Sequence, residues 1–157
     1  MTEHPLLAGP NLADAPRDPQ AWIVAFDALR ATTAMGPLGT RCTHIDDEHI
    51  VLEMTISDAA RQPFGLLHGG VSLLLAETAA SFHSAWLADL GKVAPVGVDI
   101  NGTHISGATE GTVRVTARVL RRAQAFIFHD VDITHVETGR TLCASRVTNY
   151  LRPLAKP

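Results

Sequence analysis

The sequence predicts an α+β domain in which a mostly antiparallel sheet lays one face against a single long helix. Three observations predict it. Apolar and polar residues alternate with period two between Gly39 and Ser57, and strand-like runs recur four times after Lys92. One stretch, Val71–Leu87 (VSLLLAETAASFHSAWL), is apolar nearly all round, with Glu77 as its one charged residue. The breaks between the later runs (SGATEG, RRAQ, ETGR) carry turn chemistry. A helix without a polar face is usually buried. A sheet with one apolar face needs a second layer to cover it.

Taken in order, residues 1–17 are rich in proline and aperiodic, and read as an arm. DPQAWIVAFDALR reads as a helix, with Asp18 as its cap and Pro19 at its first position. Trp22, Phe26 and Leu29 share one face of it. MGPLGT is a loop. Ile50, Leu52, Met54 and Ile56 form the inward register of a strand, and the acidic DDEH before it is a hairpin turn. The long helix is expected over about Gly69–Leu87. Strands are then expected over about Ala94–Ile105, Thr112–Arg121, Ala125–His135 and Thr141–Leu151. The domain reading is an N-terminal arm with a short helix over 1–38 and the main domain over 39–157.

A chain of 157 residues can bury one real core but not two comfortable ones. With 46% apolar and 18% charged residues it is globular rather than disordered. A net charge of −3 gives no whole-molecule reason to expect nucleic acid as a partner. No apolar run is long enough to span a bilayer, and the N-terminus lacks the pattern of a signal peptide. Cys42 and Cys143 form neither a metal spacing nor a disulfide framework, so a cytoplasmic protein is the expectation.

The chemistry concentrates in RQPFGLLHGGVSLLLAETAAS, Arg61–Ser81. Glu77, Ser81 and Ser84 follow at i, i+4 and i+7, the spacing of a polar stripe on an apolar helix. A carboxylate that loses hydration there becomes useful as a base or nucleophile. His68-Gly69-Gly70 gives an open backbone at the helix N-terminus, where free N–H groups favour negative charge and can hold an oxyanion. Gln62 and His68 stand just before it, placed to orient a carbonyl or a water. Glu77 lies eight residues beyond Gly69, roughly 12 Å along the axis. A base and an oxyanion donor acting on one carbonyl must each lie within about 3 Å of it. If both roles hold, the site needs two copies of the helix, and hence a dimer.

Other chemistries are not written here. Ser72 does not sit in a G-x-S-x-G elbow, and no phosphate-binding glycine loop is present. Cys42, His44, Asp46, Asp47, Glu48 and His49 are expected to be solvated turn residues, so the metal expectation is none.

QPFGLLHGGVSLLLAETAAS, the strand GVDINGTHISGATEG and VLRRAQAFIFHDVDI together resemble the hotdog-fold acyl-CoA thioesterases over roughly Gly39–Leu151. They are most similar to the glutamate-type 4-hydroxybenzoyl-CoA, 1,4-dihydroxy-2-naphthoyl-CoA and phenylacetate-pathway enzymes. The resemblance implies an antiparallel sheet of five to six strands wrapped around the long helix. It implies Glu77 as the catalytic carboxylate, Gly69 as oxyanion donor, Gln62 with His68 at the thioester, and Ser81 positioning water, split between two subunits. The substrate would be an acyl-CoA, with no further cofactor. A homodimer would be required, pairing into a homotetramer, and acyl carrier protein could deliver substrate instead. The expected pocket includes Phe64, Leu67, Gly70, Phe82 and Trp86. Asn101 and His104 match a polar pair of related enzymes without an assigned contact. Arg121 and Arg122 are candidates for the phosphates of coenzyme A, with Arg152 beyond them, whereas Arg118 is out of phase with the apolar register and reads as a surface residue. Two other readings stay open: an acyl-CoA-binding module of the same fold without turnover, and a hotdog hydratase or dehydratase, whose acid and His follow a different spacing.

Overall fold

A computed structural model describes residues 12–154. Helix α1 spans Pro19–Arg30, and the Asp18 carboxylate accepts from the Ala21 N–H at 2.8 Å, as its position before Pro19 predicts. Strands β1 (Arg41–Ile45) and β2 (His49–Thr55) form a hairpin. Helix α2 then covers Gly69–Leu87, followed by β3 (Val93–His104), β4 (Thr112–Arg122), β5 (Phe126–His135) and β6 (Thr141–Pro153). The six strands form one antiparallel sheet in the order β1-β2-β4-β5-β6-β3. Most of the expected N-terminal arm lies outside the described residues. Its last part packs on the domain: Trp22 Nε1 donates to the Pro16 carbonyl, and Arg17 pairs with Asp47.

The core follows from the alternation. Ile50, Leu52 and Met54 of β2, Val113, Val115 and Ala117 of β4, and Ile127, Val131 and Ile133 of β5 are all buried. They meet Leu75, Ala76, Ala79 and Ala80 of α2, and the three alanines let the helix lie close to the sheet. The opposite face of the sheet is charged. Glu53 and Arg114 are directly paired across β2 and β4 with an N–O distance of 2.7 Å, and Asp130 and Arg146 across β5 and β6 at 2.8 Å. Arg118 reaches Asp132 on this same face, so it is the surface residue its register predicts. Each such exposed pair adds well under about 1 kcal/mol. What they secure is which face turns outward.

Helix α1 joins this core rather than standing beside it. Trp22 meets Phe82 and Trp86 edge-on, with ring centroids 5.3 and 5.4 Å apart, and Phe26 meets Phe82 at 5.0 Å. Edge-to-face pairs of this kind add roughly 0.5–1.5 kcal/mol each beyond the area they bury.

Two buried histidines tie α2 to the β1–β2 turn. His83 Nε2 donates to the Asp46 carbonyl at 2.9 Å, which leaves its Nδ1 to accept from His129 Nε2 at 3.0 Å. Both rings are fully buried, which favours the neutral form. Burial lowers both their pKa values, that of His129 to about 3. An unfolded histidine takes up its proton near pH 6.5, so as pH falls the unfolded chain binds the proton first. The stability tied to neutral His129 is complete above about pH 6.5 and drains away as pH falls toward 3, a change on the order of a few kcal/mol. Thermal melts from pH 7 down to pH 4 should show Tm falling, and falling less steeply in His129→Gln, which keeps a donor for His83 without titrating there.

Candidate active site

The site is built on α2 and the strands beneath it. At the N-terminus of α2, His68 is the cap: its Nδ1 accepts from the Gly70 N–H at 2.8 Å. The next two N–H groups, of Val71 and Ser72, bond to the His68 carbonyl. Gly69 is left as the one N–H of this turn with no acceptor among the described residues. A single free donor at a helix N-terminus is the chemistry of an oxyanion hole. With Nδ1 occupied as an acceptor, the neutral His68 ring carries its proton on Nε2, on the exposed side. The Gln62 amide oxygen is also committed, accepting from the Phe64 N–H, which leaves its NH₂ as the free donor. Gln62, Leu67, Gly69 and His104 line one open cavity of about 360 Å³. His104 presses on the helix entrance: a Cβ built on Gly69 would lie 2.6 Å from its Nε2.

Two turns along α2, Glu77 and Ser81 open into a different cavity, of about 460 Å³. Its wall is largely apolar, from Phe26, Leu29 and Met35 on one side and Leu74, Phe82 and Ala85 on the other. Glu77 is half-buried and has no ion pair or hydrogen bond among the described residues. Ser81 Oγ accepts from Asn149 Nδ2 at 2.9 Å. Behind the carboxylate stands Gly97 of β3. A Cβ there would land on Glu77 Oε1 and lie 3.4 Å from its Cδ, so a glycine is what makes room for the acid. The two cavities share no lining residue. In one chain the acid and the free N–H therefore face separate spaces, as the rise of the helix requires.

Several expected residues stand elsewhere. Ser84 is fully buried with no partner for its hydroxyl among the described residues, so the polar stripe ends at Ser81. Helix α1 meets α2 through Phe82 and Trp86, a contact the sequence does not foresee. Phe64 lines neither cavity and is 90% exposed at the tip of its turn. Trp86 packs on Trp22 and donates to Asp47, in the seam between the helices and away from the pocket. Arg122 donates to the Leu87 carbonyl, the last of α2, at 2.9 Å, a structural contact at the negative end of the helix. Arg121 and Arg152 are exposed near strand ends. Asn101 lies exposed on β3 and bonds to Asp99. Of the residues expected to be solvated around the β1–β2 turn, Cys42 is instead buried within β1, while His44, Asp46, Asp47, Glu48 and His49 are exposed or partly so. Asp46 accepts from His44 and from the N–H groups of Glu48 and His49, and the possible ligand atoms of His44, Asp46 and His49 lie within 4.8 Å of one another.

Sequence reasoning missed Gly97, Asn149 and the contribution of α1. Asn149 had a visible signal, as a polar residue in the inward register of Val147 and Ser145. The apolar face of α1 also had to meet something, and it meets the Glu77 cavity.

Residues 64–144 match the family described as the thioesterase superfamily. The chain is 36% identical over 127 residues to the 1,4-dihydroxy-2-naphthoyl-CoA hydrolase of Escherichia coli, covering 81% of this chain and 92% of that one. It is 32% identical over 125 residues to the proofreading thioesterase EntH of Klebsiella pneumoniae, covering 80% and 90%. Among solved structures, a mutant of the thioesterase PA1618 from Pseudomonas aeruginosa superposes with a TM-score of 0.81 at 30% identity, over 84% of this chain and 94% of that one. The thioesterase HI1161 from Haemophilus influenzae gives 0.80 at 30% identity, over 85% and 92%. With a six-stranded sheet wrapped on α2 and these relatives along most of its length, the chain belongs to the thioesterase superfamily, as a hotdog-fold enzyme of thioester hydrolysis.

Proposed function

We propose that the protein hydrolyses acyl-CoA thioesters with aromatic or medium-chain acyl groups, at composite sites formed by two copies of the chain. The observation that carries this reading is the separation of Glu77 and Gly69 into two cavities of one chain. Each cavity offers half of what a thioester needs. In the composite site the Gly69 N–H of one subunit holds the carbonyl oxygen, with the Gln62 NH₂ and His68 Nε2 beside it. Glu77 of the other subunit attacks the carbonyl carbon or activates a water that does so, and Ser81 holds that water. The tetrahedral intermediate collapses and expels the coenzyme A thiolate, which with a thiol pKa near 8.5 needs little acid assistance. No metal or organic cofactor has a step to perform. If Glu77 attacks directly, thiolate leaves and a mixed anhydride forms. In ¹⁸O-labelled water, hydrolysis of that anhydride at the Glu77 carbonyl places label in the Glu77 carboxylate. Hydrolysis at the acyl carbonyl, like general-base catalysis, places it in the product acid. Label in Glu77 after single turnover therefore identifies direct attack, and trapping of the acyl-enzyme covers the other route.

A second copy also has a surface to meet. Strand β3 is twelve residues long, ends the sheet, and exposes Val96 and Val98 along its length. Long apolar edges of this kind are templates for pairing with another chain. Further pairing of dimers into a tetramer belongs to the same reading.

The acyl group is assigned to the Glu77 cavity, whose volume and apolar wall suit an aromatic ring or a medium alkyl chain. The name of the Escherichia coli relative, a naphthoyl-CoA hydrolase, supports the aromatic end of that range. A thiol-release screen across aromatic, hydroxyaromatic and straight-chain acyl-CoAs tests the assignment, with acyl carrier protein thioesters as a second arm. Turnover is expected with aromatic or medium-chain substrates. Ala85→Leu, which narrows the cavity, should reduce kcat/KM for these by about tenfold while sparing acetyl-CoA. Binding without thiol release across the whole panel would instead identify an acyl-CoA-binding module. Hydration of an enoyl-CoA without free thiol would identify a hydratase.

A further inference from the structure

Asn149 of β6 stands directly opposite Gly97 of β3 in the sheet register, and the two face the same turn of α2. Gly97 makes room for the carboxylate of Glu77. Asn149 donates to the hydroxyl of Ser81, one turn further along. One cross-strand pair thus sets both polar groups of the Glu77 cavity. Asn149 is fully buried, and its Oδ1 has no hydrogen-bond partner among the described residues. A buried amide with an unmet oxygen costs stability, and an apolar residue of the same shape would avoid the cost. Buried polar groups kept at such a cost tend to serve a site rather than the fold.

The contact also constrains Ser81. A hydroxyl has one proton and two lone pairs. Once a lone pair accepts from Asn149, rotation about Cβ–Oγ is restricted and the proton remains to be donated elsewhere. Ser81 lines the cavity that Glu77 opens into. We propose that Asn149 is a positioning residue: it fixes the Ser81 hydroxyl so that its proton is donated to the water held beside Glu77. Asn149 does not touch the reacting atoms. The inference rests on the thioesterase reading of the Glu77 cavity and adds to it the residue that orients Ser81.

The test is a double-mutant cycle on thiol release, with thermal melts of every variant. Asn149→Leu, close in shape and without polar atoms, should lower kcat about tenfold, the loss of roughly one hydrogen bond, with KM within about twofold. Its Tm should match or exceed that of the wild type, whereas a residue serving the fold would lower Tm when replaced. Added to Ser81→Ala, it should reduce kcat no further, because the two act as a unit. If Asn149→Leu packs poorly and lowers Tm, Asn149→Ala is run through the same cycle and judged on its kinetic coupling to Ser81→Ala alone, because a cavity at a buried position lowers Tm whatever the role. Wild-type kcat in the folded single variant, or losses that multiply in the double variant, would overturn the proposal. A Glu77→Gln enzyme with full activity would overturn the underlying site, and the positioning role with it. An inactive Glu77→Gln beside a fully active Asn149→Leu would remove the positioning role alone.

Discussion

Glu77→Gln should lower kcat by about 10²–10⁴-fold, the range over which a positioned base or nucleophile contributes. KM should change little, because the amide keeps the size of the carboxylate and the loss falls on the chemical step. The accompanying stability result is what distinguishes this acid from an ordinary one. Glu77 is half-buried with no ion pair or hydrogen bond among the described residues. The amide gives up no contact that the carboxylate makes, so Tm should hold while turnover collapses. A structural carboxylate would behave the other way, with activity surviving and Tm falling. Steady-state kinetics of thiol release and a melt of the same preparation measure both quantities.

Gly97→Ala should produce the second large effect, from a residue that carries no functional group. The new methyl would clash with Glu77 Oε1. The atom it meets is the end of a flexible side chain, so the carboxylate moves and the backbone does not. Displacement of a catalytic group by about 1 Å costs on the order of 10²-fold in rate. Alanine is also the less costly residue in a strand, by roughly 0.5–1 kcal/mol relative to glycine. Gly97→Ala should therefore be as stable as the wild type or slightly more so, and up to about 100-fold slower. Combined with Glu77→Gln it should add no further loss. Multiplying losses in the double variant would show that Gly97 acts on something other than the acid.

Much of the frame was legible because it is local. The cap at Asp18 and Pro19 marks where α1 begins, and His-Gly-Gly before an unbroken apolar run marks the start of α2. Period-two alternation in β2 and β4 names the buried residues directly. The acid and the helix entrance could also be found, because both lie on one element and the rise of a helix fixes their separation. Contacts made through the sheet were not legible. Gly97 and Asn149 reach the site through the β3–β6 register, and nothing along the chain states which residues that register pairs. Trp86 and Phe82 illustrate a second limit. On a helix apolar all round, periodicity cannot say which side meets α1 and which meets the cavity; Phe82 touches both and Trp86 only the seam.

Subunit complementation shows whether Glu77 serves a site that its own chain cannot complete. Glu77→Gln removes the acid. Gly69→Pro removes the free N–H at the first helical position, whose geometry and the extended backbone of His68 suit a proline. The exposed His104 side chain, 2.6 Å from a Cβ there, has to swing aside, and melts of the variant check that the fold is kept. Each variant alone should be inactive. Co-refolded in equal amounts with random pairing, half of the dimers are mixed, and each mixed dimer holds one intact composite site of two. Activity should then return to about a quarter of the wild-type value. A mixture as inactive as its components, with mixed dimers verified by differential tags, would place acid and oxyanion donor in one chain and contradict the account.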